Sequence, residues 1–287
     1  MSWWEAIVLG LVQGLTEFLP ISSSAHIRVI GPLLPSGGDP GAAFTAIIQI
    51  GTEAAVLLYF RKDIARIIRA WFAALGGRNG SDRASRLGKG SPDARMGWWV
   101  ILGSIPIVVG GLVFQDYIEH HLRNLYLTAA VLAIFALVLG FADRYGRKNR
   151  ELTELTAKDA WLLGFAQAMA LIPGVSRSGG TISMGLILGL TREAAARYSF
   201  LLAIPAVLGS GVFELMTNSD ELTAAGGPGF VNTAIAALVA FGVGYVVIVW
   251  FLKLISKHSY WLFVWYRIGL AILIVALLAA GTLTAVG

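Results

Sequence analysis

The sequence predicts an all-α integral membrane protein in which six transmembrane helices and two re-entrant helical hairpins form an inverted-topology repeat. Three observations carry that expectation. Of the 287 residues 56% are hydrophobic and 14% charged, with a mean hydropathy of +0.72, whereas soluble domains carry about 25% charged residues. Apolar stretches recur that approach the ~20 residues a helix needs to cross a bilayer. Two further apolar regions are broken near their middles by proline and serine, which a simple span does not require.

The first broken region, Trp3–Leu34, is interrupted at Pro20–Ser24. Each half is short for a crossing, and two half-helices meeting at a turn buried in protein suit such pieces. With Trp3, Trp4 and Glu5 in place of a basic stretch, and no small-residue cleavage site, the start does not read as a cleavable signal peptide. Full spans follow at Ala42–Phe60, Met96–Phe114 and Leu125–Phe141. The second broken region, Ala160–Leu190, is interrupted at Pro173–Ser178, and spans Tyr198–Met216, Phe230–Phe251 and Trp261–Val286 complete the chain. The expected organisation is one membrane domain: repeat one at 1–141, a cytoplasmic connector at 142–159, and repeat two at 160–287.

Loop charges test this order. The net charge of +5 and pI near 9.6 do not point to nucleic acid, because the basic residues sit in loops beside apolar spans. The loop Arg61–Arg95 holds nine Lys or Arg against three Asp, and Ala142–Asp159 carries Arg144, Arg147, Lys148, Arg150 and Lys158. Lys253 and Lys257 mark a third basic loop, whereas Gln115–Asn124 is nearly devoid of basic residues and Thr217–Gly229 has none. All five loops agree on one topology only if each broken region returns to the side it entered. The basic loops are then cytoplasmic and both termini outside; the first hairpin dips from outside, the second from inside. Arg28 and the Arg192, Glu193, Arg197 cluster read as boundary charges, and Trp98, Trp99 and Trp261 as an interfacial belt.

A faint internal repeat agrees. "LPISS" at 19–23 resembles "IPGVS" at 172–176, with Gln13 and Gln167 upstream, and "AAFTAII" at 42–48 echoes "RYSFLLAI" at 197–204. Each half holds one hairpin and three spans, and an odd number of crossings inverts the second copy relative to the first.

The interruptions carry the chemistry. Gln13 and Glu17 share a helix face with Ala6 and Gly10, a small polar stripe that can pack closely and present a carboxylate inward. The first turn adds Ser22, Ser23 and Ser24, then His26; the second offers Ser176, Arg177, Ser178 and Thr181 among Gly174, Gly179 and Gly180. Hydroxyls and glycines just before a helix leave N–H groups for an anion, and the Arg177 fork matches phosphate or carboxylate oxygens. If the two tips meet, Arg267 can join them. A bare charge in the bilayer costs at least ~2.5–3.5 kcal/mol, so these residues are expected to be paired and functional.

Each has a structural alternative. The serines can satisfy turn backbone, His26 can sit at the interface, and Glu17 with Arg177 can be an ion pair joining the hairpins. Arg267 can snorkel, and Glu53 beside Gln49 can be a cavity liner or a helix contact. Two function classes survive: an enzyme acting on a phosphorylated or pyrophosphorylated lipid, or a secondary transporter or lipid flippase with an anion site where the hairpins meet. The set of Ser, His, Glu, Arg and Thr exceeds what solute binding needs and favours chemistry. An acid-phosphatase-type lipid phosphatase is rejected, because no His follows "SRSGG" at a suitable distance. The absence of cysteine excludes disulfides and thiolate metal sites.

"QGLTEFLPISSSAH" at 13–26, "PGVSRSGGT" at 173–181 and "YRI" at 266–268 resemble the undecaprenyl-diphosphate phosphatase family of the bacitracin-resistance type, and the likeness in length and span order covers essentially the whole chain. The resemblance implies a hydrolase of the bacterial cytoplasmic membrane. It would remove the terminal phosphate of undecaprenyl diphosphate at a site facing outside and so recycle the lipid carrier for peptidoglycan and other wall polymers. The family's glutamate-rich motif falls on Gln13 and Glu17, its serine on Ser23 and its histidine on His26. Its phosphate-binding residues fall on Ser176, Arg177 and Thr181, and its C-terminal arginine on Arg267; Ser178 and Arg267 are expected to bind the phosphate with them. The resemblance also implies a divalent cation, Mg or Ca, and a homodimer. Glu17 would lead the metal ligands, with Gln13 and Glu53 as further candidates. The nucleophile is Ser23, deprotonated by Glu17 or His26, or a water that they activate. Two departures stand out. Ser24 and Ala25 occupy positions where the family commonly has Thr-Gly, so Ala25 is strained if that position needs positive φ. Gln13 in place of Glu leaves one carboxylate fewer.

Overall fold

A computed structural model describes the chain except residues 39, 79, 81, 119–121, 123, 219, 224–226 and 286–287. The expected end of the last span at Val286, and parts of the loops Gln115–Asn124 and Thr217–Gly229, lie outside the described residues. The described residues form helices α1 (Trp3–Thr16), α2 (Ser23–Ile30), α3 (Ala42–Tyr59), α4 (Arg61–Leu75), α5 (Arg83–Arg86), α6 (Pro92–Tyr117), α7 (Leu125–Tyr145), α8 (Ala157–Ala168), α9 (Arg177–Ile187), α10 (Arg192–Thr217), α11 (Asp220–Thr223), α12 (Phe230–Ile255) and α13 (Trp261–Ala279). Of these, six are long and apolar enough to cross a membrane: α3, α6, α7, α10, α12 and α13. The chain is a multi-pass membrane protein.

These six coincide with the six expected spans, and their boundaries differ for physical reasons. Helix α10 starts at Arg192 because the Thr191 hydroxyl caps it, accepting from the Ala194 N–H, and Glu193 sits in the first turn. Hydropathy does not register such polar first turns. Helix α13 ends at Ala279 because Gly281, at φ +70°, turns the chain left-handed. The Thr282 N–H then returns to the Leu277 carbonyl and closes the helix end. Within the basic loop Arg61–Arg95 the chain forms α4, whose Ile67 and Ala74 are buried while Arg66 and Arg69 face outward. Trp71 meets Trp98 of α6 edge-on, ring centroids 5.4 Å apart. The periodicity of α4 is interleaved with basic residues, which conceals it in a charge count.

Hydrogen bonds gather the connections at two ends. At one, Ser36 donates its N–H to Glu5 Oε1 (2.7 Å) and Asn232 donates to the Met1 carbonyl (2.8 Å). At the other, Arg192 pairs with Asp143 (2.6 Å), Arg66 with Asp93 (2.9 Å), and the Tyr260 N–H donates to Asp143 (3.0 Å). Both broken regions close on themselves. The start of α1 is bonded through Glu5 to Ser36, beyond α2. The start of α8 is held through Asp159 by Arg150 (2.7 Å), whose N–H donates to the Gly189 carbonyl beyond α9 (2.9 Å).

Packing around the two broken regions is alike. Helix α1 lies along α12 and α8 along α6, in both cases through glycine. A Cβ on Gly10 would stand 2.5 Å from the Ala236 carbonyl oxygen, and one on Gly164 2.5 Å from that of Gly103. Small residues let helix backbones approach where lipid supplies no hydrophobic drive. Helices α3 and α10 pack together, as do α7 and α13. The core between them is aromatic: Phe18, next to Glu17, meets Phe200 of α10 edge-on at 5.3 Å, and Phe200 neighbours Phe251 of α12 at 6.1 Å. Leu112, Leu238, Val246 and Ile272 point outward, as lipid-facing residues do.

Candidate active site

Two turns, between α1 and α2 and between α8 and α9, meet in the interior and share one construction. Ser22 and Ser176 each precede the second helix of their turn in the left-handed region, at φ +71° and +69°. In each, that serine hydroxyl lies 3.2 Å from the hydroxyl two residues on, Ser24 and Ser178. The positive φ therefore falls on Ser22, and Ala25 is an ordinary residue of α2. The Ser176 hydroxyl caps α9 by accepting from the Gly179 N–H (3.2 Å). Gly174, at φ +99°, leaves no room for a side chain against Thr128 of α7.

The turns are joined at Glu17. Its Oε1 accepts from Arg177 Nη2 at 2.7 Å. Its Oε2 accepts from Gln13 Nε2 at 2.8 Å and from the Ser23 hydroxyl at 2.5 Å. A carboxylate, a hydroxyl and a guanidinium are thus in direct contact although 160 residues separate Glu17 from Arg177. Ser23 and Arg177 are partly accessible, Ser24 is exposed, and Glu17 and Gln13 are buried. A ligand therefore reaches the hydroxyl and guanidinium first, with the carboxylate beneath. Ser178 ties the turns a second time, donating to the Leu19 carbonyl at 2.9 Å.

His26 stands beside this cluster. Its Nδ1 lies 2.7 Å from the Ser22 carbonyl oxygen, which can only accept, so Nδ1 carries the hydrogen. In the neutral ring Nε2 then accepts from the Tyr266 hydroxyl at 2.8 Å. Glu17, not His26, is the group in contact with the Ser23 hydroxyl. Tyr266 had no role assigned from sequence, because it is 240 residues from His26; the only signal was its place in "YRI".

Arg267 and Thr181 are set back from the opening. Arg267 is fully buried and does not snorkel. Its Nε donates to the Leu132 carbonyl, Nη1 to that of Pro20, and Nη2 to those of Gly174 and Val175, at 2.8–3.2 Å. One guanidinium thereby clips both turns to α7. Thr181, also buried, donates to the Arg177 carbonyl (2.8 Å) and lies 2.5 Å from the Ser199 hydroxyl of α10. Both are placed to hold Arg177 and its turn.

On α1, α3 and α8 five buried side-chain atoms have no hydrogen-bond partner: Gln13 Oε1, both carboxylate oxygens of Glu53, and Oε1 and Nε2 of Gln167. Buried oxygens that can only accept fit a bound cation. Among the described residues, however, no three His, Cys, Asp or Glu cluster as a self-sufficient metal cage.

Comparison with known proteins follows this geometry. Residues 6–273 match the family described as bacitracin resistance protein BacA. An undecaprenyl-diphosphatase of Paenarthrobacter aurescens is 58% identical over 285 residues, covering 99% of this chain and 100% of the relative. Undecaprenyl-diphosphatase 2 of Agrobacterium fabrum is 58% identical across 100% of this chain and 99% of its own. One from Kineococcus radiotolerans is 60% identical across 98% and 95%.

Proposed function

The chain belongs to the family of bacitracin resistance protein BacA, and on that premise we propose that it hydrolyses undecaprenyl diphosphate to undecaprenyl phosphate and inorganic phosphate. It is an enzyme, a polyprenyl-diphosphate phosphatase. The observation that carries the reading is Glu17, which is bonded at once to the Ser23 hydroxyl and to Arg177. Nucleophile, base and anion partner are assembled before substrate arrives. The transporter alternative has no comparable observation in its favour.

In the proposed reaction the terminal phosphate takes over Arg177, which releases one oxygen of Glu17. Ser23 Oγ attacks the terminal phosphorus as its proton passes to Glu17 Oε2. The new O–P bond forms while the bond to the bridging oxygen breaks, and undecaprenyl phosphate leaves with that electron pair. Water then displaces Ser23 from phosphorus, inorganic phosphate departs, and Glu17 returns the proton to Ser23 Oγ. Arg177 stabilises charge on the equatorial oxygens, since phosphoryl transfer depends mainly on positioning and electrostatics. Arg267, Thr181 and Ser178 hold the turns, and the Ser176 cap orients the start of α9. A divalent cation, Mg or Ca, would be held beside Glu17 and neutralise phosphate oxygens.

The two broken regions act as re-entrant hairpins in an inverted repeat. Support comes from their closure at opposite ends, the left-handed Ser22 and Ser176, and the matching α1–α12 and α8–α6 contacts. Basic residues at the Asp143 end favour a cytoplasmic location for it, which puts the termini outside and opens the site outward in the bacterial cytoplasmic membrane. Phosphate release from a polyprenyl diphosphate by purified protein, with and without EDTA, tests the activity. Acid quench with a β-labelled diphosphate should trap label on Ser23, and oxygen-18 incorporation from water with no trapped intermediate would contradict that route.

A further inference from the structure

Glu53 lies in α3, outside both motifs, and is fully buried. Its Oε2 is 3.9 Å from Arg177 Nη2, the same nitrogen that donates to Glu17 at 2.7 Å. At 3.9 Å it makes no hydrogen bond there, and neither carboxylate oxygen has any other partner. A buried carboxylate with no hydrogen bond, and only a 3.9 Å ion pair to a guanidinium already engaged by Glu17, is expensive, and a proton or a further cation would relieve it.

Gln13 decides between these. Its amide is bonded to Glu17 Oε2, and because a carboxylate only accepts, the bonded atom is the NH2 group. Gln13 Oε1 is therefore the free atom, and it too is buried and without a partner. Around the Glu17–Arg177 pair the unsatisfied atoms of Gln13 and Glu53 are all acceptors. A proton on Glu53 could be donated to Gln13 Oε1 but would still leave the second Glu53 oxygen without a partner; a cation answers all three atoms. Hard cations such as Mg are typically bound through one or two carboxylates plus substrate phosphates, with waters completing the shell. Glu17 and Glu53 supply two carboxylates and Gln13 an amide oxygen.

We propose that Glu53 is a ligand of a divalent-cation site completed by Gln13 Oε1 and Glu17, its carboxylate on α3 standing in for the one position 13 lacks. This rests on the phosphatase reading for its purpose, and not for its test. A cation held by these residues would add positive charge beside Arg177, where the diphosphate is proposed to bind.

The probe is Mn2+ alone, titrated into the full chain in detergent while the electron paramagnetic resonance of free Mn2+ is followed, and repeated with methylenediphosphonate present. The isosteric Glu53→Gln should weaken Mn2+ binding by about tenfold or more. Gln13→Glu alone should tighten it, and the Glu53→Gln/Gln13→Glu double variant should recover most of the loss. If Glu53→Gln binds Mn2+ like the unmodified protein, or if the double variant recovers nothing, the assignment is wrong. The Gln13→Glu arm reads out even if Glu53→Gln folds poorly, and unchanged affinity there would also count against the site. Phosphate release is scored separately: a protein that binds Mn2+ through Glu53 but releases no phosphate would overturn the phosphatase reading and leave the cation site standing.

Discussion

The two turns of this protein have nearly the same backbone and opposite chemistry. Both place a serine at φ close to +70°, both set a second hydroxyl 3.2 Å from it, and both follow a half-helix carrying a buried glutamine. The first then presents Glu17 and Ser23, an acid and a hydroxyl, while the second presents Arg177. Neither is a site alone. The first carries no guanidinium, and the second's Arg177 finds its carboxylate, Glu17, on the first. Two turns of like backbone thus offer unlike side chains, and the cluster at Glu17 exists only because they are pressed together.

The comparison can be broken most severely at the residues that differ between the turns. Ser23→Ala should lower phosphate release by about 10^4-fold or more, as removal of a nucleophile does. Arg177→Ala should lower it by about 10^3-fold or more, the scale of an arginine that stabilises a transferring phosphoryl group. Ser23→Ala should leave thermal unfolding nearly unchanged, whereas Arg177→Ala also strips the buried Glu17 carboxylate of its ion pair and should lower the melting temperature.

Next come residues that hold the turns to each other. Arg267→Ala would strand the carbonyls of Leu132, Pro20, Gly174 and Val175, at about 1–3 kcal/mol for each that finds no other partner. The expected result is a lowered melting temperature together with lost activity, and a variant with normal stability would contradict the clip. Glycine sharpens the same contrast. A Cβ on Gly179 would stand 2.7 Å from Arg267 Nη1, whereas the corresponding place in the first turn already holds Ala25 within α2. Gly179→Ala should therefore impair stability and activity together, while Ala25→Gly should cost only about 1–2 kcal/mol, helix propensity plus one buried methyl, and spare activity.

The smallest effects belong to side chains that only trim the contact. Tyr266→Phe removes the hydroxyl from His26 and should cost about tenfold in rate, below the ~10²-fold at which direct acid–base contributions begin. Ser178→Ala removes one tie to the Leu19 carbonyl, about 0.5–1.5 kcal/mol, and should leave activity within a few-fold. Equal losses for Arg177→Ala and Ser178→Ala would mean that the second turn is scaffold alone.

Much of this was legible in the sequence, and the limits have physical causes. Hydropathy located all six long helices, because lipid imposes length and composition on a span. The interruptions at Pro20 and Pro173 were legible because proline and serine are conspicuous in apolar surroundings. Helix α4 was not, since its apolar face is diluted by arginines that a charge count reads as loop. Tyr266 was not assigned because its partner is distant in sequence and nothing local marks it. Arg267 was expected at the phosphate; an arginine in a span looks the same in sequence whether its donors face a ligand or main-chain carbonyls. The strain expected at Ala25 falls instead on Ser22, a distinction set by where α2 begins.

The central claim is that the two turns form one catalytic unit. The most direct measurement is a double-mutant cycle on phosphate release from undecaprenyl diphosphate, using Ser23→Ala, Arg177→Ala and the double variant in purified protein. One unit predicts strong non-additivity, with the double variant no slower than the slower single variant. Rate losses that multiply independently, or an Arg177→Ala protein that releases phosphate at the unmodified rate, would contradict it.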